Sequence, residues 1–190
     1  MKFDIILAGV GGQGVLSVSA VIASSAMRDG LTVKQSEVHG MSQRGGAVVA
    51  HLRLSDGPVA SDLIPLGTAR MILAMEPLES LRYLRYLASD GAITTSKNPL
   101  VNIPDYPPIE DLLERIRRVP GSVLVDSEHL ARAAGSARAT NMVMVGAASS
   151  RLPIDAGTLQ REITAMFERK GAKVVEANLK AFHAGREAAS

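Results

Sequence analysis

Three glycines near the start of the chain have the spacing of a phosphate-binding turn. Gly9, Gly11 and Gly14 fit the pattern G-x-G-x-x-G in the stretch ILAGVGGQGVL, with Gly12 and Gln13 between them. Such a loop points backbone N–H groups at an anion held at the start of a helix, with help from the helix dipole. The alternative is structural, because glycines also let a strand turn tightly into a closely packed helix.

A second loop, EVHGMSQRGG, crowds polar side chains between glycines. Arginine offers a planar fork of donors suited to carboxylate or phosphate, and glycines let backbone N–H groups approach a ligand or another chain. The alternative is a solvated hairpin tip, but a plain hairpin needs fewer residues. We therefore interpret this loop as a contact for a cofactor or a partner. Its candidate residues are His39, Ser42, Gln43, Arg44, Gly45 and Gly46.

The elements that carry these loops can be placed from hydrophobic patterning. Residues 3–8 predict a buried strand that leads through the glycines into a helix over 14–28. Strands follow at 31–36 and 47–54, joined by about ten residues, whereas parallel neighbours need a crossover of about a dozen or more. This connection predicts an antiparallel pair and a mixed sheet, and it argues against a simple dinucleotide fold, which has a crossover helix there.

The rest of the chain predicts further alternation of strands and helices. Asp155 is placed to cap a helix that ends at Gly171, and residues 97–108 predict a surface loop. Further strands are predicted at 71–75, 91–96, 122–126 and 173–176, and further helices at 77–88, 109–119 and, buried on nearly every side, 140–149.

Several polar residues outside the two loops are weaker candidates. His51 and Arg53 are predicted on a polar strand face, at the surface or in an interface. Glu76 follows a strand end, where it either contacts a ligand or meets a helix dipole. Glu79 is predicted on a solvated helix face, and Asn141 either caps the buried helix or satisfies backbone groups in the core.

Composition excludes several kinds of site. The 190 residues include no cysteine, which rules out disulfides, thiolate zinc sites and cysteine-ligated iron–sulfur clusters on this chain. A formal net charge of +2 and the absence of tryptophan argue against nucleic-acid binding. No nucleophile–base pair, carboxylate dyad or metal-ligand cluster is evident. We expect one cytoplasmic domain over residues 1–190, with no metal and no membrane segment.

Four ordered blocks resemble one protein family across nearly the whole chain. They are LAGVGGQGVL, SEVHGMSQRGGAVVAHLR, ATNMVMVGA and NLKAF. They are similar to the gamma-type subunit or domain of 2-oxoacid:ferredoxin oxidoreductases. Within that family, EVHGMSQRGG most resembles the beta subunits of the indolepyruvate ferredoxin oxidoreductases.

The resemblance implies a three-layer α/β/α fold with a mixed, mostly parallel sheet. It also implies an oxidative decarboxylation in which a 2-oxoacid and coenzyme A give acyl-CoA, carbon dioxide and reduced ferredoxin. A large alpha subunit would carry thiamine diphosphate and the iron–sulfur clusters, so we expect no cofactor on this chain alone and no activity from it in isolation. The resemblance assigns no catalytic residue here.

Two other interpretations stay open at this point. The chain is also compatible with the gamma subunit of a pyruvate or 2-oxoglutarate ferredoxin oxidoreductase, or with a stand-alone nucleotide-binding or regulatory protein that reuses the fold. A neighbouring gene for a large thiamine- and cluster-binding subunit would separate the oxidoreductase interpretations from the stand-alone one.

Overall fold

The computed structural model describes residues 1–39 and 45–190, and for His39 the backbone only. These residues form six strands and seven α-helices. The strands are β1 (Lys2–Val10), β2 (Thr32–His39), β3 (Ala47–Ser55), β4 (Ala69–Ala74), β5 (Leu87–Ser96) and β6 (Val123–Val125). The helices are α1 (Val15–Arg28), α2 (Pro77–Arg82), α3 (Ile109–Arg117), α4 (Ser127–Ala133), α5 (Thr140–Ser149), α6 (Ala156–Phe167) and α7 (Ala172–Ala188).

The strands make one mixed sheet in the order β2-β3-β1-β4-β5-β6. Strands β1, β4, β5 and β6 run parallel, whereas β3 is antiparallel to both β1 and β2. The predicted antiparallel pairing of 31–36 with 47–54 is therefore confirmed. Because β3 inserts between β2 and β1, the start of β3 lies beside the end of β1, where Val10 pairs with Ala47.

Alternating side chains of β1 and β4 face two separate helix layers. Ile5 and Leu7 pack with α1, α4, α5, α6 and α7, while Ile6 and Ala8 pack on the opposite face with α2 and α3. This period of two is what a strand buried on both faces requires. The predicted three-layer α/β/α architecture with a mostly parallel sheet is thus present.

Helices α5 and α7 approach each other backbone to backbone. A Cβ on Gly146 would overlap the carbonyl oxygen of Phe182, and a Cβ on Gly185 would overlap that of Val143. Helix α5 is buried almost throughout, as its run of small and apolar residues predicts. The contact fixes α5, and with it the start of α5, against the sheet.

Two predicted elements are wrong. The helix predicted over 77–88 ends at Arg82, and β5 begins already at Leu87, with a register shift between the pairs Ala69–Leu87 and Met71–Ala92. The strand predicted at 173–176 is the first turn of α7, because the packing of α7 on α5 outweighs the strand preference of two adjacent valines.

Helix α4 was not predicted from the sequence. It is only seven residues long, and Asp126 caps it by accepting a hydrogen bond from the His129 N–H at 3.1 Å. Within the described ranges, none of the helices combines the length and the apolar character that crossing a membrane would need.

Candidate functional site

The glycine loop turns the end of β1 into the start of α1. Gln13 organises the turn: its backbone N–H donates to Val10 O at 3.0 Å, and its side-chain oxygen accepts from the Val10 N–H at 2.9 Å. Its side-chain nitrogen donates to Met75 O at 3.4 Å, which ties the loop to the end of β4. Gly14 precedes α1 with a φ of +74°, and no side chain caps the helix. The first N–H groups of α1 are therefore free of a side-chain cap.

Packing explains two of the three motif glycines. A Cβ on Gly9 would lie 2.8 Å from Val15 Cγ2, because α1 returns closely over β1. A Cβ on Gly14 would overlap the amide nitrogen of Asn141. Gly12, with a φ of +104°, meets nothing within 4 Å. The structural interpretation of the motif thus accounts for Gly9 and Gly14. The N–H of Gly11 instead donates to a carbonyl oxygen of the second loop, that of Gly46.

The two loops predicted from the sequence meet at one edge of the sheet. The Gly11 N–H donates to Gly46 O at 2.8 Å, and the Gly45 N–H donates back to Gly11 O at 3.3 Å. Gly45 has a φ of +78°, and its carbonyl oxygen accepts from Asn102 Nδ2 at 2.8 Å. The structure therefore brings Gly9, Gly11, Gly12, Gln13, Gly14, Gly45 and Gly46 together. The candidates Ser42, Gln43 and Arg44, and the side chain of His39, lie outside the described residues.

Asn141 joins this edge from the start of α5. Its amide nitrogen donates to Gly14 O at 3.4 Å, across 127 positions of sequence. Of the two roles expected for Asn141, the structure supports satisfaction of a backbone carbonyl. That carbonyl belongs to the glycine loop itself, so the start of α5 holds the loop in place.

A polar network follows the ends of β5 and β6. The Asn98 side-chain oxygen accepts from Ser96 Oγ at 3.0 Å and from Ser127 Oγ at 3.2 Å, and its nitrogen donates to Asp126 Oδ1 at 3.0 Å. Burial opposes ionisation of Asp126, but the hydrogen bonds from Asn98 and the His129 N–H, with Lys97 close by, hold the pKa of its carboxyl below the ordinary value. The network is buried or half-buried and keeps Asn98 rigid.

These groups enclose a cavity of about 360 Å³ at the carboxyl ends of the parallel strands. We call it the edge cavity. It is lined by Gly12, Gln13, Met75, Ser96, Asn98, Pro99, Leu100, Ser127, Glu128, Arg132, Ala137, Thr140, Asn141 and Met144. This is where open α/β sheets bind ligands. Its lining offers hydroxyls, amides, backbone groups and the Glu128–Arg132 ion pair, and these groups can form hydrogen bonds with a ligand. Across the described residues, no group of three His, Cys, Asp or Glu could hold a metal ion.

The segment 97–108 crosses the same edge as an ordered strap. It is anchored by Asn98 to the network above, by Asn102 to Gly45, and by Tyr106, whose hydroxyl donates to Glu76. Burial and the hydrogen bond to Glu76 both raise the pKa of Tyr106. A loop was predicted here, but its anchors were not. We call residues 97–108 the edge strap.

Glu76 and Glu79 form a buried acidic pair beside the strap. Glu76 is fully buried and caps α2 by accepting from the Glu79 N–H at 2.9 Å, which supports the helix-start alternative. Glu79 is 2% exposed rather than solvated as predicted, because α2 turns this residue inward. One of its oxygens pairs with Arg82 Nε at 2.9 Å, and the other has no partner among the described residues. Burial raises the pKa of Glu79; nearby Arg82 opposes this shift and Glu76 adds to it.

His51 and Arg53 are buried, so their predicted surface position is wrong. The segment after β3 folds back over them: Ile64 N–H donates to His51 Nδ1 at 3.0 Å, and Arg53 donates to the carbonyl oxygens of Ser61 and Leu63. Arg53 also forms a two-point ion pair with Asp4, with both bonds 2.9 Å long. Burial lowers the pKa of His51. These two residues hold the segment that follows β3 in place, and they do not line the edge cavity.

Comparison with known proteins points to one family. A family model described as pyruvate ferredoxin/flavodoxin oxidoreductase matches residues 4–188. The chain is 36% identical to indolepyruvate oxidoreductase subunit IorB of Archaeoglobus fulgidus, over 97% of this chain and 94% of that protein. It is 30% identical to 2-oxoglutarate synthase subunit KorC of Methanothermobacter thermautotrophicus, over 98% and 95% respectively.

A solved structure shares the fold. The 2-oxoglutarate:ferredoxin oxidoreductase of Magnetococcus marinus, solved with 2-oxoglutarate, coenzyme A and succinyl-CoA bound, superposes with a TM-score of 0.81 at 24% identity. The match covers 99% of this chain and 31% of that chain. This chain therefore corresponds to about a third of that protein's length.

Proposed function

We propose, because this chain belongs to the pyruvate ferredoxin/flavodoxin oxidoreductase family, that it is an accessory subunit of an indolepyruvate ferredoxin oxidoreductase. The observation that carries the proposal is the 36% identity to an indolepyruvate oxidoreductase subunit over nearly the full length of both chains. The complex would oxidatively decarboxylate an aryl 2-oxoacid with coenzyme A. The products are acyl-CoA, carbon dioxide and reduced ferredoxin, which takes up the electrons released.

The chemistry of the chain supports a division of labour. Iron–sulfur clusters are held by cysteine thiolates, and this chain has no cysteine, so its residues do not fit a cluster. A larger partner subunit would carry the clusters and thiamine diphosphate, and would pass electrons to ferredoxin. In this account the isolated chain has no turnover.

The joined glycine loops are the proposed contact surface of this subunit. The start of α1 has no side-chain cap and no acid in its first turn, which favours an anionic group of coenzyme A or a carboxylate of the partner. Arg44 follows Gln43 in the second loop and supplies a planar donor fork for the same kind of group. His39 and Ser42 belong to the same proposed surface.

A 2-oxoglutarate-specific complex is the second candidate. The 30% identity to a 2-oxoglutarate synthase subunit, again over nearly the full length, supports it. The lower identity makes it the weaker of the two.

The test is assembly with the large subunit encoded in the same genome. The two chains are co-expressed, with an affinity tag on the large subunit only, and the complex is isolated by size exclusion. We expect this chain to co-elute and Arg44→Ala to weaken assembly by about ten-fold or more, as truncation of one partner of a buried charged pair does. Arg70→Ala is the matched control. Arg70 is exposed and paired with Asp90, and it lies near the start of β4, at the end of the strands opposite to the glycine loops.

One result would contradict the assignment as a subunit, and another would contradict the proposed contact surface. One is a large subunit that elutes alone and still turns over indolepyruvate at the full rate. The other is assembly that Arg44→Ala and Arg70→Ala leave equally intact, which would remove Arg44 from the contact surface.

A further inference from the structure

Asn102 makes a different kind of contact from the other two anchors of the edge strap. Asn98 bonds to the polar network that follows β5 and β6, and Tyr106 bonds to buried Glu76. Asn102 is exposed, and its Nδ2 donates to the carbonyl oxygen of Gly45 at 2.8 Å, across 57 positions of sequence. This side chain therefore connects the strap to the second loop.

The backbone of Gly45 is held by hydrogen bonds of unequal length. Its N–H donates to Gly11 O at 3.3 Å, beyond the range of about 2.7–3.2 Å that is ordinary for N–H···O bonds. Its carbonyl oxygen accepts from Asn102 Nδ2 at 2.8 Å, which lies within that range. The bond from Asn102 is thus the stronger constraint on Gly45.

Gly45 is a position where the backbone needs such a constraint. Its φ is +78°, and a Cβ added there would meet nothing within 4 Å, so packing does not restrict it. Glycine also loses more conformational freedom on ordering than any other residue. The next residue, Gly46, accepts from the Gly11 N–H at 2.8 Å, just before β3 begins to pair with β1. Asn102 therefore fixes the point at which the second loop returns to the sheet.

The strap can serve as the support in this contact because it is held on both sides of Asn102. Asn98 precedes that residue and is fixed by the polar network, and Tyr106 follows it and is fixed by Glu76. Since the flanking backbone is already ordered, less conformational entropy is lost when the Asn102 side chain bonds to Gly45.

We infer that Asn102 is a positioning residue of the subunit contact. It holds Gly45 and Gly46 against Gly11 in the conformation in which the joined glycine loops bind the large partner subunit. The inference rests on the proposed function, in which these loops are the contact surface. A loop that is ordered before the partner arrives binds more tightly, because association then loses less conformational entropy.

Hydrogen–deuterium exchange of the purified full chain tests the positioning without the partner. Asn102→Ala removes the donor, and Asn102→Gln keeps an amide donor. Asp105→Ala is the matched control, because Asp105 is another exposed polar residue of the strap and is not one of its anchors. We expect peptides that contain Gly45 and Gly46 to exchange about five-fold faster in Asn102→Ala, the effect of one hydrogen bond, and near the wild-type rate in Asn102→Gln.

A role confined to the strap predicts a different pattern of exchange. Asn102→Ala would then accelerate exchange within 97–108 and leave the peptides with Gly45 at the wild-type rate, which would overturn the inference. Equal acceleration at Gly45 in Asn102→Ala and Asp105→Ala would also overturn it, because it would indicate a general loosening of this surface.

Assembly with the tagged large subunit measures the consequence for binding. We expect Asn102→Ala to raise the dissociation constant about five-fold, Asn102→Gln to restore it and Asp105→Ala to leave it unchanged. The melting temperatures of the three variants should match the wild type, because the substituted side chains are exposed.

The assembly measurement separates failure of this inference from failure of the proposed function. If the wild-type chain does not assemble, the proposed function fails, and with it the role of Asn102 in the contact. If the wild type assembles and Asn102→Ala assembles equally well, the proposed function stands and the inference about Asn102 alone is overturned.

Discussion

Gly14 and Asn141 illustrate how one contact fixes the glycine loop. Gly14 needs a left-handed backbone, and its carbonyl oxygen accepts from a side chain that belongs to α5. The sequence motif predicted the glycine, because its spacing from Gly9 and Gly11 is visible in a single stretch. The partner could not be predicted in the same way, because it lies 127 positions away.

Replacement of Gly14 by alanine should destabilise the chain by about 2–3 kcal/mol. An L-residue in the left-handed region costs about 1–2 kcal/mol, and loss of the Asn141 hydrogen bond adds about 1 kcal/mol. The control is Gly12→Ala. Gly12 also has a positive φ but open space around it, so this substitution should cost only the about 1–2 kcal/mol of the backbone conformation. Urea unfolding measures both. Equal losses would show that the contact with Asn141 contributes nothing.

Glu79 shows a buried charge that the sequence did not reveal. The pattern of α2 placed it among Arg82 and Arg85 on a solvated face, but the six-residue helix turns it toward the sheet. Its unpartnered oxygen and its burial favour the protonated form.

This pKa shift predicts a pH dependence of stability. Because the folded-state pKa of Glu79 is raised above its ordinary value of 4.5, the native state binds the proton more tightly than the unfolded state. Stability is therefore lost as the pH rises from about 4.5 through the raised pKa. Glu79→Gln should remove this loss, so that the variant gains on the wild type toward neutral pH.

Urea unfolding at a series of pH values measures the effect, with Glu114→Gln on the exposed face of α3 as the control. A difference between the wild type and Glu79→Gln that stays constant at every pH would contradict the prediction.

At the scale of elements, local sequence patterns predicted most of the strands. They gave the wrong secondary structure where tertiary packing determines it. The short connection between β2 and β3 was sufficient to predict their antiparallel pairing. The start of α7 was misassigned, because the adjacent Val174 and Val175 resemble a strand and the packing of Gly185 against α5 is invisible in sequence. The edge strap was correctly predicted as a loop, but its three anchors join it to distant elements.

The edge strap should loosen when its last anchor is removed. Tyr106→Phe removes the hydroxyl that donates to buried Glu76 and leaves that carboxylate without this partner. We expect amide exchange in 97–108, and at Gly45, to become about ten-fold faster, since hydrogen bonds to charged groups contribute about 1.5–3 kcal/mol.

Hydrogen–deuterium exchange followed by mass spectrometry measures this change. Tyr86→Phe is the control, because the Tyr86 ring contacts His51 at 5.2 Å on the same face of the sheet and is not an anchor of the strap. Unchanged exchange in Tyr106→Phe, or equal acceleration in both variants, would show that Asn98 and Asn102 hold the strap without Tyr106.

At the scale of the whole molecule, the sheet order explains why two loops that are separate in sequence meet at one place. Insertion of β3 between β2 and β1 brings Gly45 and Gly46 to Gly11. The four sequence blocks predicted the family, and the polar loop with its arginine predicted a contact surface. The edge cavity could not be predicted, because its lining comes from the ends of β4, β5 and β6 and the start of α5 together.

Turnover by the reconstituted complex tests the central claim most directly. The isolated chain, the isolated large subunit and their mixture are each supplied with coenzyme A, a ferredoxin and one of three acids: indolepyruvate, pyruvate or 2-oxoglutarate. We predict reduction of ferredoxin by the mixture alone, fastest with indolepyruvate. Turnover by this chain alone, or a mixture that prefers 2-oxoglutarate or pyruvate, would contradict its assignment as an accessory subunit of an indolepyruvate ferredoxin oxidoreductase.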